Sequence, residues 1–208
     1  MIISAIRRPL FVALLAIAAQ PGMVTAQPAA ESGEAALPQG SEIVPAEDRD
    51  ERLQQLFDQL RDASSENEAE PIAAEIRGLW ARSGSDSMDL LLSRGRAAIS
   101  EEDYPKARAH LSALTRLAPE FAEGWNAVAT LNYLEKNYGR AVADIERTLA
   151  IEPRHFSALT GLALIFERTG QPLAAMKAWR QVNRIYPGLK NAQDAIDRLS
   201  PEVDGKGI

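Results

Sequence analysis

Residues 122–155 read AEGWNAVATLNYLEKNYGRAVADIERTLAIEPRH, and the chain on either side repeats their plan. Three prolines set the frame. Pro119, Pro153 and Pro187 each lie 34 residues after the last. Proline donates no amide hydrogen bond and disfavours helix in the residue before it, so each one marks a helix end. Superposing the copies on these prolines exposes a common pattern. The eighth position is Gly95, Ala129 and Ala163, and the twentieth is Ala107, Ala141 and Ala175. Small residues at both places let two helices of one unit approach closely. The fourth position is Leu91, Trp125 and Leu159, and the twenty-fourth is Leu111, Ile145 and Trp179. These bulky apolar groups suit the space between units. Leu117, Ile151 and Ile185 stand just ahead of the prolines. No strand pattern competes.

A 34-residue period is the spacing of tetratricopeptide repeats, each a helix–turn–helix unit. The residues resemble that family closely: Trp125, Ala129, Tyr138, Ala141 and Pro153 stand where its pattern wants them. The resemblance covers residues 88–189 in three copies, 88–121, 122–155 and 156–189. It implies an all-α fold, an α-solenoid of helix–turn–helix repeats. The copies also depart from the pattern. The seventh position is Arg94 in the first copy, where an apolar residue is expected. The eleventh is Ala98, then Asn132, where a bulky one is expected. Pro172 follows Tyr104 and Tyr138 at the seventeenth.

Residues 1–26 read as a secretory signal peptide. Arg7 and Arg8 form a positive start, residues 10–19 an apolar run, and Val24-Thr25-Ala26 a small-residue cleavage site before Gln27. The run is shorter than the roughly 20 residues a membrane span needs. The rival reading is an uncleaved anchor, which would be the protein's one membrane contact. The expected location is the bacterial periplasm. Removing Arg7 and Arg8 with the signal leaves 21 Lys and Arg against 29 Asp and Glu, a net charge of −8. That balance, with cations scattered rather than clustered, argues against nucleic-acid binding. The chain has no cysteine, which excludes a disulfide framework. Residues 27–46 are rich in Pro, Gly, Ala, Glu and Ser and are expected to form a flexible linker.

Helical periodicity starts near Glu47. Leu53, Leu56, Phe57 and Leu60 share one helix face. Ser65 followed by Glu68 has the form of a capping box. Ile72, Ile76, Leu79 and Trp80 line a second helix, with Pro71 in its first turn or at a kink. Residues 47–84 therefore read as a degenerate hairpin capping the N-terminal end of the stack. Residues 190–199 read as a polar-faced C-terminal capping helix, and 200–208 as a frayed tail.

No catalytic motif emerges. The two histidines, His110 and His155, lack zinc-site spacing, and no cofactor or small-molecule substrate is expected. Glu101, Glu102 and Asp103 read as a solvated helix end, and Asp86 with Asp89 as helix-start acids. The family resemblance implies that helix A of each repeat lines a groove through positions 2, 5, 9, 12 and 13. That maps a protein-binding site onto Leu92, Arg96 and Ile99 of the first copy, Asn126, Thr130 and Tyr133 of the second, and Thr160, Leu164 and Glu167 of the third. The family's chaperone-carboxylate clamp is not expected, because its basic and amide positions hold Leu92, Arg96, Ala127, Ser157 and Gly161. The resulting expectation is a non-enzymatic scaffold or adaptor of the bacterial envelope that holds a partner peptide or helix. The alternative is a self-assembling structural subunit joined near Trp80.

Overall fold

The computed structural model describes residues 46–204; the signal, most of the linker, and residues 205–208 lie outside them. Among the described residues the secondary structure is entirely helical. α1 (Ala46–Asp62) and α2 (Glu66–Trp80) form one hairpin. α3 (Asp86–Ser100) with α4 (Tyr104–Leu117), α5 (Ala122–Leu134) with α6 (Tyr138–Ile151), and α7 (Phe156–Arg168) with α8 (Pro172–Ile185) form three more. α9 (Lys190–Asp204) closes on α8. The fold is an α-solenoid: α4 and α6 each pack between their own first helix and that of the next hairpin, and α8 between α7 and α9.

The small positions explain how closely each hairpin shuts. Ala107, Ala141 and Ala175 are fully buried. At Gly95 an added Cβ would fall 2.4 Å from a Leu111 methyl, so the first hairpin has no room even for alanine. The turns inside the hairpins repeat a conformation that the letters hide. Glu102, Lys136 and Gly170, the fifteenth residue of each copy, all have positive φ, at 58°, 62° and 70°. The next residue in each case donates its amide, at 2.8 Å, to the carbonyl of Ala98, Asn132 or Phe166. Only the third copy uses glycine, the residue that accepts this geometry without strain.

The α1–α2 hairpin does not extend the stack as an N-terminal cap. Its buried face, Leu53, Leu56, Phe57, Leu60, Ile76 and Trp80, forms one cluster with Phe156 and Tyr186 of the third repeat. The hairpin lies along the turns that join successive repeats. Trp80 stacks on His155 at 4.1 Å and meets Phe156 at 4.9 Å. The Tyr186 hydroxyl donates to Glu70 at 3.0 Å, and Arg154 donates to Gln54 at 2.9 Å while lying over the Phe57 ring. Burial, then the bond to Glu70, pushes the Tyr186 phenol up to about 12. Gly188 permits the contact, since a Cβ there would sit 2.9 Å from that of Ala69.

This placement accounts for Arg94. Positions 3, 7 and 10 face the preceding hairpin in the second and third copies, where Gly124, Leu131, Ala158 and Ile165 are buried. In the first copy no described element packs ahead of them. Leu90, Arg94 and Ala97 are exposed, and a cation at position 7 meets water.

Ser65 caps α2 by accepting from the Glu68 amide, while the Glu68 carboxylate accepts from the Ser64 amide at 2.9 Å. Pro71 sits beyond the first turn, inside α2, at an exposed position. α9 continues past Leu199 through Pro201 to Asp204. Val203 packs against the same cluster as Ala192, Ala195 and Leu199, so the apolar stripe carries the helix into the stretch expected to fray.

Candidate protein-binding groove

α5 and α7 run beside each other as the first helices of their repeats. At helical spacing Asn126, Thr130 and Tyr133 share one face of α5, and Ser157, Thr160 and Leu164 one face of α7. The two faces enclose a cavity of about 220 Å³. Ala129, Ile145, Gly161 and Ile165 also line it. Ile145 reaches this cavity from α6 past Gly161, which has no side chain; a Cβ there would lie 3.6 Å from the Ile145 methyl. Leu164, which lines it, is 39% exposed. None of the residues lining the cavity is charged.

The polar groups of the groove are held in place. Thr130 and Thr160 donate their hydroxyl hydrogens to the Asn126 and Phe156 carbonyls, at 3.0 and 2.8 Å. Asn126 donates its amide to Glu123 at 3.2 Å. The Tyr133 oxygen accepts from Arg168 Nε at 2.7 Å, and that guanidinium also lies over the Tyr133 ring.

The remaining residues expected in the groove lie elsewhere. Leu92 is 2% exposed, packed in the first repeat with Leu111, Leu114 and Leu131; its apolar side chain follows the core. Ile99 is half-buried against the same cluster. Arg96 is ion-paired with Glu123. Glu167 accepts from Trp179 Nε1 at 2.6 Å and from Arg198 at 2.9 Å, tying α7 to α8 and α9. Trp80 is 3% exposed, so the joint imagined for self-assembly is already occupied by the protein's own core.

Sequence reasoning missed the node beneath the groove. His155 is fully buried. Its Nδ1 accepts from the Ala158 amide at 3.2 Å, capping α7, which leaves the ring proton on Nε2. Nε2 then donates to Glu123 at 2.7 Å. Burial, the largest influence, lowers the His155 pKa to about 4. Glu123 does not reverse this, because Arg96 already supplies its counter-charge and protonating Nδ1 would break the cap. The only sequence signal was a histidine and a glutamate 32 residues apart.

Charges along the stack pair across repeats in the same way. Arg96 with Glu123, Arg108 with Glu135, and Glu120 with Arg147 each join one repeat to the next. Two of the acids considered at the sequence level are engaged locally. Asp103 caps α4 by accepting from the Lys106 amide, and Asp89 accepts from the amide and hydroxyl of Ser83 at 2.7 and 2.6 Å. A larger cavity, about 500 Å³, separates α1 from the turns. Its Glu120, Glu123 and Glu152 are paired with arginines, so it is a packing junction more than a site.

The chain is 41% identical over 155 residues to a TPR repeat-containing protein of Rhizobium etli, an alignment covering 74% of this chain and 76% of that one. This chain belongs to the tetratricopeptide-repeat family. No protein-family profile matches it. Among solved structures, the TPR domain of Arabidopsis OM64 is similar with a TM-score of 0.54 at 18% identity, covering 56% of this chain and 97% of that domain. The TPR2B domain of yeast Sti1, in complex with pHsp70, is similar with a TM-score of 0.51 at 18% identity, covering 59% and 99%. At such identity the likeness is one of fold. Tetratricopeptide repeats build protein-interaction scaffolds. Among the described residues no helix is long and apolar enough to cross a membrane.

Proposed function

We propose that this tetratricopeptide-repeat protein is a non-enzymatic scaffold of the bacterial envelope, exported by its N-terminal signal and cleaved before Gln27, and that it holds a partner protein in the α5–α7 groove. The observation that carries the reading is the uncharged cavity between these helices, with Leu164 at its edge. The Sti1 domain, whose structure is that of a complex with pHsp70, supports a protein partner in general terms. Export rests on Arg7, Arg8, the apolar run 10–19 and the small residues 24–26. The test is a photo-crosslinking amino acid at Tyr133, compared in intact cells with one at exposed Lys177. Adducts specific to Tyr133 support the groove; equal capture from both positions refutes it.

A second reading has its own observation. Two leucines of the first repeat, Leu90 and Leu117, are 49% and 60% exposed, which suits contact with a second copy. Light scattering decides it: a monomer at tens of micromolar removes self-assembly.

A further inference from the structure

We propose that the apolar surface at the turn after the first repeat is covered by the chain's own Ile43-Val44-Pro45, the last three residues before α1. The proposal is independent of the α5–α7 groove. It extends the track on which the α1–α2 hairpin docks.

That track follows one repeating position. Leu117, Ile151 and Ile185, the thirtieth residues of their copies, end α4, α6 and α8. Stacking places equivalent positions in a row. Ile185 packs against the apolar cluster of the α1–α2 hairpin. Ile151 lines the cavity of about 500 Å³ together with Leu53 of α1. Leu117 is 60% exposed. The cover runs out at the first repeat, although the row still has an apolar member there.

Followed backwards, α1 leads towards that bare member. Arg154, in the turn after α6, lies over Phe57 and donates to Gln54. One helical turn earlier, Arg49 and Asp50 line the cavity with residues 118–122, the turn that follows Leu117. The described chain begins at Ala46, one turn earlier again. A chain spans at most roughly 3.6 Å per residue, so Ile43 lies within about 11 Å of Ala46. Residues 43–45 therefore stay within reach of the 118–122 turn.

Their chemistry matches the surface. Residues 27–45 contain three large apolar residues, Leu37, Ile43 and Val44. Two of the three stand beside the start of α1, and Pro45 makes a run of three residues without a polar side chain. The cavity offers them Leu53, Met88, Phe121 and Ile151. Its Glu120, Glu123 and Glu152 already have arginine partners, so a charged occupant gains nothing from them. The volume exceeds one side chain and has room for a short run of chain. Covering Leu117 with Ile43 and Val44 removes apolar surface from water on both sides of the contact. A second copy could do the same only by giving up its translational and rotational freedom. The chain's own segment is already tethered there, which makes its binding an intramolecular event. Seated in this way, the segment takes the leucine that a second copy would need and favours the monomer.

The experiment is nuclear magnetic resonance on the mature protein with its isoleucine, leucine, valine and methionine methyl groups labelled. Overhauser contacts should link the Ile43 and Val44 methyls to those of Met88 and Leu117. Ile43→Ser/Val44→Ser should abolish these contacts and shift the Leu117 methyl resonances, while Leu37→Ser leaves both unchanged. A mixture of differently labelled chains shows which chain supplies the contact. Contacts between chains that fade on dilution assign the surface to a second copy and overturn the proposal. Leu117 methyls with no contact to Ile43 or Val44, and unmoved by the double variant, leave the surface to an outside partner and overturn it equally. None of these outcomes bears on the α5–α7 groove, which stands or falls by crosslinking at Tyr133.

Discussion

Replacing Trp80 tests the unexpected docking of the first hairpin. Its indole is 3% exposed and touches Phe57, His155 and Phe156, so it joins α1 and α2 to the turn before α7. Truncating a buried tryptophan to alanine costs roughly 3–5 kcal/mol. Here an opposing effect operates. The Trp80 Nε1–H is buried with no acceptor among the described residues, and an orphaned donor destabilises the native state by roughly 1–3 kcal/mol. Removing the side chain relieves that cost, so Trp80→Ala should lose about 2 kcal/mol net. Trp80→Phe keeps an aromatic face against His155 and deletes the orphaned donor, so it should stay within about 1 kcal/mol of the parent protein. Urea denaturation followed by circular dichroism measures both variants. Hydrogen exchange on Trp80→Ala should lose protection in α1 and α2 first. If Trp80→Phe is as damaging as Trp80→Ala, the indole N–H is satisfied and the argument fails. If α1 and α2 keep full protection in Trp80→Ala, the hairpin is not held at this point.

The buried histidine gives a pH dependence. His155 in the fold has its pKa lowered to about 4 from 6.5, so below pH 6.5 the unfolded chain gains a proton that the fold refuses. Stability should therefore fall as pH drops from about 6.5 towards 4, by about 2 kcal/mol at pH 5 from this group alone. His155→Asn keeps a capping acceptor and should flatten the slope of stability between pH 5 and 7; an unchanged slope contradicts the assignment. The left-handed turns predict that Lys136→Gly raises stability by up to about 1 kcal/mol and Gly170→Ala lowers it by a similar amount, both read from urea midpoints. Gly188→Leu should drive α2 from the turn after α8, seen as faster exchange in α1 and α2 with α5 and α7 unaffected.

What the letters disclosed follows from where physics forces a residue type. The eighth and twentieth positions had to be small, because Leu111 leaves no room for a Cβ at Gly95, so the repeats were legible. Arg94 departed from the pattern for a reason the sequence could not state: no described element packs on the face it stands on. The left-handed turn was visible only at Gly170, since Glu102 and Lys136 adopt it at a cost that composition does not reveal. Docking of the α1–α2 hairpin joins residues as far apart as Glu70 and Tyr186, beyond any local period. In the groove, Asn126, Thr130, Tyr133, Thr160 and Leu164 came together where register put them. Leu92 and Ile99 followed their hydrophobicity inward, and Arg96 and Glu167 followed their charge to partners. Gly161 was the missed clue. A glycine inside a helix costs roughly 1 kcal/mol against alanine, and here its place is at the floor of the cavity.

The central claim is that the space between α5 and α7 receives the partner. The most direct measurement is calorimetric titration of whatever protein crosslinks at Tyr133, against the parent protein and against Gly161→Leu. The account predicts at least a tenfold loss of affinity for the filled variant, with its thermal midpoint no lower than the parent's. Equal affinity for the two proteins would contradict it.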